Sequence, residues 1–172
     1  GLGVGGYCLT KDPWFVHHLG KKFNLDLKTP VASRQVNDSM PEYTFKVIKK
    51  EFEKKGLEMS SSRVGVLGIS FKDNTGDCRF TPTKEIIEKL VNSCATVKIF
   101  DPWVDNKTAF SLTNLHMSNN IDKCIEDVDC LAFFTGHKEF RNYSLERIAT
   151  KCNKNAIIID GRGIFSRDKI DK

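Results

Sequence analysis

A single thiol, Cys8, closes the glycine-rich opening Gly1-Leu-Gly-Val-Gly-Gly-Tyr-Cys8, with a cation at Lys11 and a carboxylate at Asp12. Glycine has no Cβ, so Gly1, Gly3, Gly5 and Gly6 let the backbone take positive φ and lie close against a bulky ligand with its amides turned toward it. A cysteine attacks as its thiolate, which a neighbouring cation or oriented amides favour. The pattern fits nucleophilic chemistry at Cys8 in a loop that cradles its substrate. It fits equally well a glycine-rich turn leading into a buried structural cysteine.

Two further clusters put charge beside apolar runs. Residues 64–71 are apolar and bounded by turn signals, and they lead into Phe71-Lys-Asp-Asn-Thr-Gly-Asp-Cys-Arg79. Residues 156–159 are apolar and run into Asp160-Gly-Arg162. Lys72 offers a phosphate a compact charge, while Arg79 and Arg162 offer planar forks suited to phosphate or hydroxyl groups. Ion pairs with Asp73, Asp77 or Asp160 would occupy the same side chains structurally. His17 and His18 are adjacent on a helical stretch, so both cannot face one metal from it. His116 and His137 have no recognisable partner, which leaves a cysteine hydrolase built on Cys8 without a histidine base.

The elements that must position these residues follow from the apolar periodicity. Residues 13–22 predict a helix with Pro13 in its first turn, 24–29 a loop, and 30–55 a long helix that Pro41 should kink or interrupt. Gly56 and the serines of 56–62 predict a linker. From residue 63 strands and helices alternate: strand 64–71, helix 85–91, strand 96–100, helix 121–128, strand 130–135, helix 145–152 and strand 156–160. The expected fold class is α/β, a helical central segment (1–62) followed by a Rossmann-like parallel sheet with helices on both faces (63–172). Such sheets bind ligands outside the carboxyl ends of their strands, where both charged clusters fall. No G-x-G-x-x-G follows the first strand, so a nucleotide sugar suits this unit better than NAD.

Composition narrows the classes. With 172 residues, 40% hydrophobic and 28% charged, the chain is that of a globular protein. Its net charge of +5 is mild and spread along the chain without interleaved aromatics, so no nucleic-acid partner is expected. No apolar run has membrane-spanning length and no signal peptide is visible, so the expected setting is cytoplasmic. The cysteines, Cys8, Cys78, Cys94, Cys124, Cys130 and Cys152, form no C-x-x-C pair. No structural metal is expected, and only Cys8 has a chemical setting.

Three motifs, in this order, resemble the UDP-glucose/GDP-mannose dehydrogenase family: G-x-G-x-G-G-x-C-x-x-K-D, the R-x-V-N-D-x-M-P of Arg34 to Pro41, and F-K-x-x-T-x-D-x-R with D-G-R. The resemblance spans nearly the whole chain. It implies an NAD-dependent UDP-sugar 6-dehydrogenase that oxidises a C6 alcohol to a carboxylate in two hydride transfers, supplying uronic acids for polysaccharide biosynthesis. Cys8 would carry the thiohemiacetal and thioester, and Asp12 would help activate the hydrolytic water. Lys11 and Arg79 would lie on the cofactor side. Gly3, Gly5, Phe71, Lys72 and Arg162 would contact the substrate. The central helix would form a homodimer. The cofactor-binding Rossmann domain and a catalytic lysine would lie upstream, leaving this piece inactive alone. Tyr7, Cys78 and Phe80 depart from the family's usual residues. The wording around Cys8 and Pro41 looks most like enzymes of N-acetylated UDP-hexosamines. A non-catalytic nucleotide-binding or dimerisation module is the alternative reading.

Overall fold

Four short apolar strands form the sheet: β1 (Arg63–Leu67), β2 (Thr96–Phe100), β3 (Cys130–Phe133) and β4 (Ile157–Asp160). They pair in parallel in the order β2-β1-β3-β4 in the computed structural model, which describes residues 1–166. Residues 167–172, expected in the second unit, lie outside the described residues. Val66 stands opposite Ile99 on one side and Ala132 on the other, and Ala132 opposite Ile159.

Because side chains alternate along a strand, the sheet feeds two cores. On one face Val64, Val66, Ile99, Ala132 and Ile159 pack with Ile86, Ile87 and Leu90 of α3 (Thr83–Val91). That core also takes Ala109 of α4 (Asn106–Thr113). On the other face Leu67, Leu131 and Phe133 meet Ile125 of α5 (Ile121–Ile125), Phe140 of α6 (Lys138–Arg141) and Ile148 of α7 (Leu145–Lys151). Helices therefore cover both faces, the arrangement a parallel sheet requires. None of the described helices is long and apolar enough to cross a membrane.

Ahead of the sheet stand α1 (Tyr7–Lys22) and α2 (Lys28–Lys55). Ile48 and Phe52, on the last turns of α2, are buried in the same core as α3, so this helix is anchored to the sheet. It ends at Gly56, whose φ of 66° is the left-handed C-terminal cap that glycine favours.

Several boundaries differ from those the periodicity suggests. The first helix begins at Tyr7, so Pro13 lies inside it. Proline supplies no N–H to the carbonyl of Leu9, and Arg34 Nη1 donates to that oxygen instead at 2.9 Å. The second helix runs unbroken through Pro41. β1 stops at Leu67 because Gly68 turns to φ 103° and lies against Thr135, where a side chain would collide. The helices at 121 and 145 end at Ile125 and Lys151, and β3 ends at Phe133.

Candidate functional site

The sheet order changes direction between β1 and β3, and the crevice beyond their carboxyl ends is where the charged clusters gather. Asp73, just past Lys72, is their hub. Its Oδ1 accepts from the Gly136 amide at 2.9 Å and from Arg162 Nη2 at 3.0 Å, and its Oδ2 pairs with Arg141 Nη2 at 3.4 Å. Burial alone would push this carboxyl up, but the Gly136 amide and the two guanidinium groups outweigh it and hold the acid below its ordinary range. Asp73 thus fixes Arg162 from one side and leaves other N–H groups of its fork for a ligand. At the far end of the same loop, Asp77 grips Arg79 through Nε at 2.8 Å and Nη2 at 2.5 Å. The Arg79 guanidinium also lies 4.9 Å from the centre of the Tyr7 ring. Lys72 is exposed and Phe71 is half-buried.

The glycine run threads across this crevice. Leu2 is buried against Gly161, and Gly3, at φ 106°, lies against the Asn37 carbonyl that Pro41 leaves without a helical donor. Asn37 then brackets Val4, accepting its N–H at 2.7 Å and donating to its carbonyl at 3.2 Å. At Gly5 a Cβ would sit 2.6 Å from the Phe80 carbonyl and 2.9 Å from the Phe71 ring, so only glycine fits. Gly6 donates to the Arg79 carbonyl at 2.7 Å. The run therefore links Arg162 at one end to Arg79 at the other, and at Gly5 and Gly6 the close approach that glycine permits is to the chain itself. A cleft of about 590 Å³ opens between Gly1, Gly3, Asn37, Met40 and Arg162. A second, of about 910 Å³, opens beyond Arg79 toward Tyr7, Lys84 and Lys107.

Gly6 is also the N-terminal cap of α1, so Cys8 lies in a helical first turn rather than in a loop. Lys11 and Asp12 follow one turn later on the same face. All three side chains are exposed. Cys8 alone among the cysteines is exposed; burial pushes the Cys78 and Cys124 thiols up to about 12 and those of Cys94 and Cys152 to about 11, which leaves them inert. Arg34, nearly fully buried, joins α2 to this helix through Leu9 and pairs with Asp38. Arg34 opens the R-x-V-N-D-x-M-P motif, and Pro13 adds a signal for its part here, because a helical proline leaves a carbonyl that needs a donor. Asn37 lies inside the V-N-D motif, to which the residue types alone assign no part.

In the connection that follows the first strand of this sheet, the amides of Ile69 and Ser70 donate to the buried carboxylate of Asp101 at 2.7 and 3.0 Å. Burial would push Asp101 up, but His137 and those two amides hold it below its usual range.

Comparison with known proteins agrees with this architecture. Residues 65–167 match the UDP-binding domain of the UDP-glucose/GDP-mannose dehydrogenase family. A UDP-N-acetyl-D-mannosamine dehydrogenase of Methanococcus maripaludis is 34% identical over 98% of this chain and 37% of its own length. The solved UDP-D-ManNAc dehydrogenase of Pyrococcus horikoshii superposes with a TM-score of 0.83 at 30% identity, covering 97% of this chain and 37% of that one. An NDP-N-acetyl-D-galactosaminuronic acid dehydrogenase of Methanosarcina mazei gives a TM-score of 0.87 at 28% identity, with 99% and 37% covered. The chain thus spans about 37% of the length of the curated relatives it matches.

Proposed function

Because this chain belongs to the UDP-glucose/GDP-mannose dehydrogenase family, we propose that it supplies the nucleotide-sugar site and the reactive cysteine of an enzyme oxidising the C6 alcohol of a UDP-sugar to a carboxylate. The observation that carries this reading is the convergence of the Lys72 loop, Arg162 and the glycine run at the carboxyl ends of the strands, with that run continuing into the first turn that bears Cys8. Lys72 and Arg162 would take the diphosphate and sugar, with Phe71 and the backbone at Gly3 closing on them and Gly5 holding the run against Phe71 and Phe80. The relatives' substrates and the motif wording favour an N-acetylated UDP-hexosamine.

In this mechanism the Cys8 Sγ bonds to C6 of the aldehyde as a thiohemiacetal, and its proton leaves to water. The first turn of α1, which no side chain caps, would favour the oxygen anion of that addition through its amide N–H groups. Asp12 then takes a proton from the water that attacks the thioester carbon, the C–S bond breaks, and the carboxylate departs as the thiolate is restored. Each oxidation would pass a hydride from C6 to NAD, the second turning the thiohemiacetal into the thioester, and in this chain Lys11 and Arg79 would lie on the cofactor side. We place the boundary between the helical segment (1–62) and the sugar-nucleotide unit at residue 63. We assign the homodimer face to α2, where Val36 and Tyr43 are exposed. A cytoplasmic setting would keep the thiols reduced.

Calorimetry on this chain tests the reading. UDP should bind and NAD should not, and Lys72→Ala or Arg162→Ala should weaken UDP about tenfold or more, the loss of one charge-assisted hydrogen bond. Tighter binding of NAD than of UDP would reverse the division of labour. The chain alone should show no turnover.

A further inference from the structure

Ser70, Asp101 and His137 follow β1, β2 and β3 respectively, and each is at most 1% exposed. Asp101 Oδ2 lies 3.2 Å from Ser70 Oγ and 3.2 Å from His137 Nε2, while its Oδ1 accepts from the Trp103 amide at 2.9 Å. On the other side of the ring, the Asn74 amide donates to His137 Nδ1 at 2.8 Å. A backbone amide can only donate, so Nδ1 carries the lone pair and Nε2 carries the proton, directed at Asp101. Serine and aspartate face the same nitrogen, and all three groups are sealed from solvent. The cluster therefore lacks the relay of a hydrolytic triad, in which the two partners flank opposite nitrogens.

It has the geometry of a strut. The imidazole spans from the carboxylate after β2 to the tip of the Phe71–Arg79 loop. That tip turns left-handed at Asn74, φ 57°, a conformation asparagine adopts more readily than other residues with a Cβ. Neighbouring contacts fix it further, with the Lys138 amide donating to Asn74 Oδ1 at 2.9 Å and the Gly136 amide to Asp73. Asp73 in turn holds Arg162.

We propose that His137 is a positioning residue for the nucleotide-sugar site, setting the Lys72 loop through its Nδ1 acceptor rather than touching the ligand. The proposal rests on the assignment of Lys72 and Arg162 to the nucleotide.

Asparagine and glutamine separate the two halves of the ring, since an asparagine amide oxygen reaches the place of Nδ1 and a glutamine amide nitrogen that of Nε2. His137→Asn keeps an acceptor for Asn74 and gives up the bond to Asp101; His137→Gln does the reverse. In calorimetry, UDP affinity should fall about tenfold in His137→Gln and less than about threefold in His137→Asn. The melting temperature should rank them the other way, because the lost Asp101 bond is charge-assisted. Affinity that follows melting temperature would overturn the proposal, as would wild-type affinity in both variants. Hydrogen exchange over 71–79 tests the strut without ligand: it should quicken in His137→Gln, and an unchanged rate would sink the strut. If wild type binds no UDP, the nucleotide reading fails while exchange still judges the strut. Should neither variant fold, nitrogen NMR of the wild-type chain decides, with an Nδ1–H tautomer as the overturning result.

Discussion

Asp101 and Asp12 are two carboxylates of one candidate site held under opposite conditions. Asp101 is 1% exposed and accepts from amides or side chains after all three of β1, β2 and β3. Asp12 is exposed on a helix whose outer side also presents Phe15 at 62% and Leu19 at 55% exposure. The sheet end is finished inside this chain: Arg162 is braced by Asp73, and Arg79 by Asp77. The cysteine end is anchored at its base, by Gly6 on Arg79 and by Arg34 on Leu9, while the side chains of Cys8, Lys11 and Asp12 are exposed. The contrast teaches that one end of a crevice can be braced from within while the other is fixed only at its backbone.

The strongest way to break that contrast is at Asp101. Asp101→Asn must turn an NH2 toward amide donors on one side or the other, and should cost roughly 3 kcal/mol in a urea titration. The acid limb should change as well. The folded carboxyl lies below the unfolded value of about 3.9, so its contribution is complete above that pH and is lost as pH falls through the lowered folded value. Asp101→Asn should therefore flatten the loss of stability on the acid side. A wild-type acid limb in the variant would show that other carboxylates govern it.

A smaller effect is expected where the two regions join. Arg34→Met leaves the Leu9 carbonyl bare and should cost about 1–2 kcal/mol. Combined with Pro13→Ala, which restores a helical N–H for that carbonyl, the loss should shrink; additive losses in a double-mutant cycle would dissociate Arg34 from the proline. The smallest effect belongs to the exposed end. Cys8→Ser should leave stability within about 0.5 kcal/mol and UDP affinity unchanged in this chain. In the whole enzyme the same change should abolish the second oxidation, because a hydroxyl is a far weaker nucleophile than a thiolate. Persisting uronic acid formation in that variant would remove the thioester route.

Much of the sheet is legible in the sequence because a buried parallel strand has to be apolar on both faces. Residues 96–100 give β2 with its observed ends, and the runs at 64, 130 and 156 give the other three strands with one or a few residues too many. α4 is hidden: Asn-Lys-Thr-Ala-Phe-Ser-Leu-Thr is rich in residues that favour turns, and only its Asp105 cap and the burial of Ala109 and Thr113 hold it as a helix. The start of α1 is displaced because Pro13 reads as a first-turn residue, whereas Gly6 is the cap and Arg34 repairs the gap the proline leaves.

By itself the sequence determined the residue types: a cysteine behind glycines, a lysine and arginines after apolar strands, and the order in which those motifs come. Local chemistry and periodicity suffice for that, since they depend on neighbours within a few positions. Only the tertiary structure decided that Gly5 must be glycine to clear Phe71 and Phe80, and that Asp73 braces Arg162 across 89 positions of chain. The same holds for His137, which props the loop at Asn74 from 63 positions away. These are contacts between strand ends brought side by side by parallel pairing, and no spacing in the sequence encodes which buried donor will meet which acceptor.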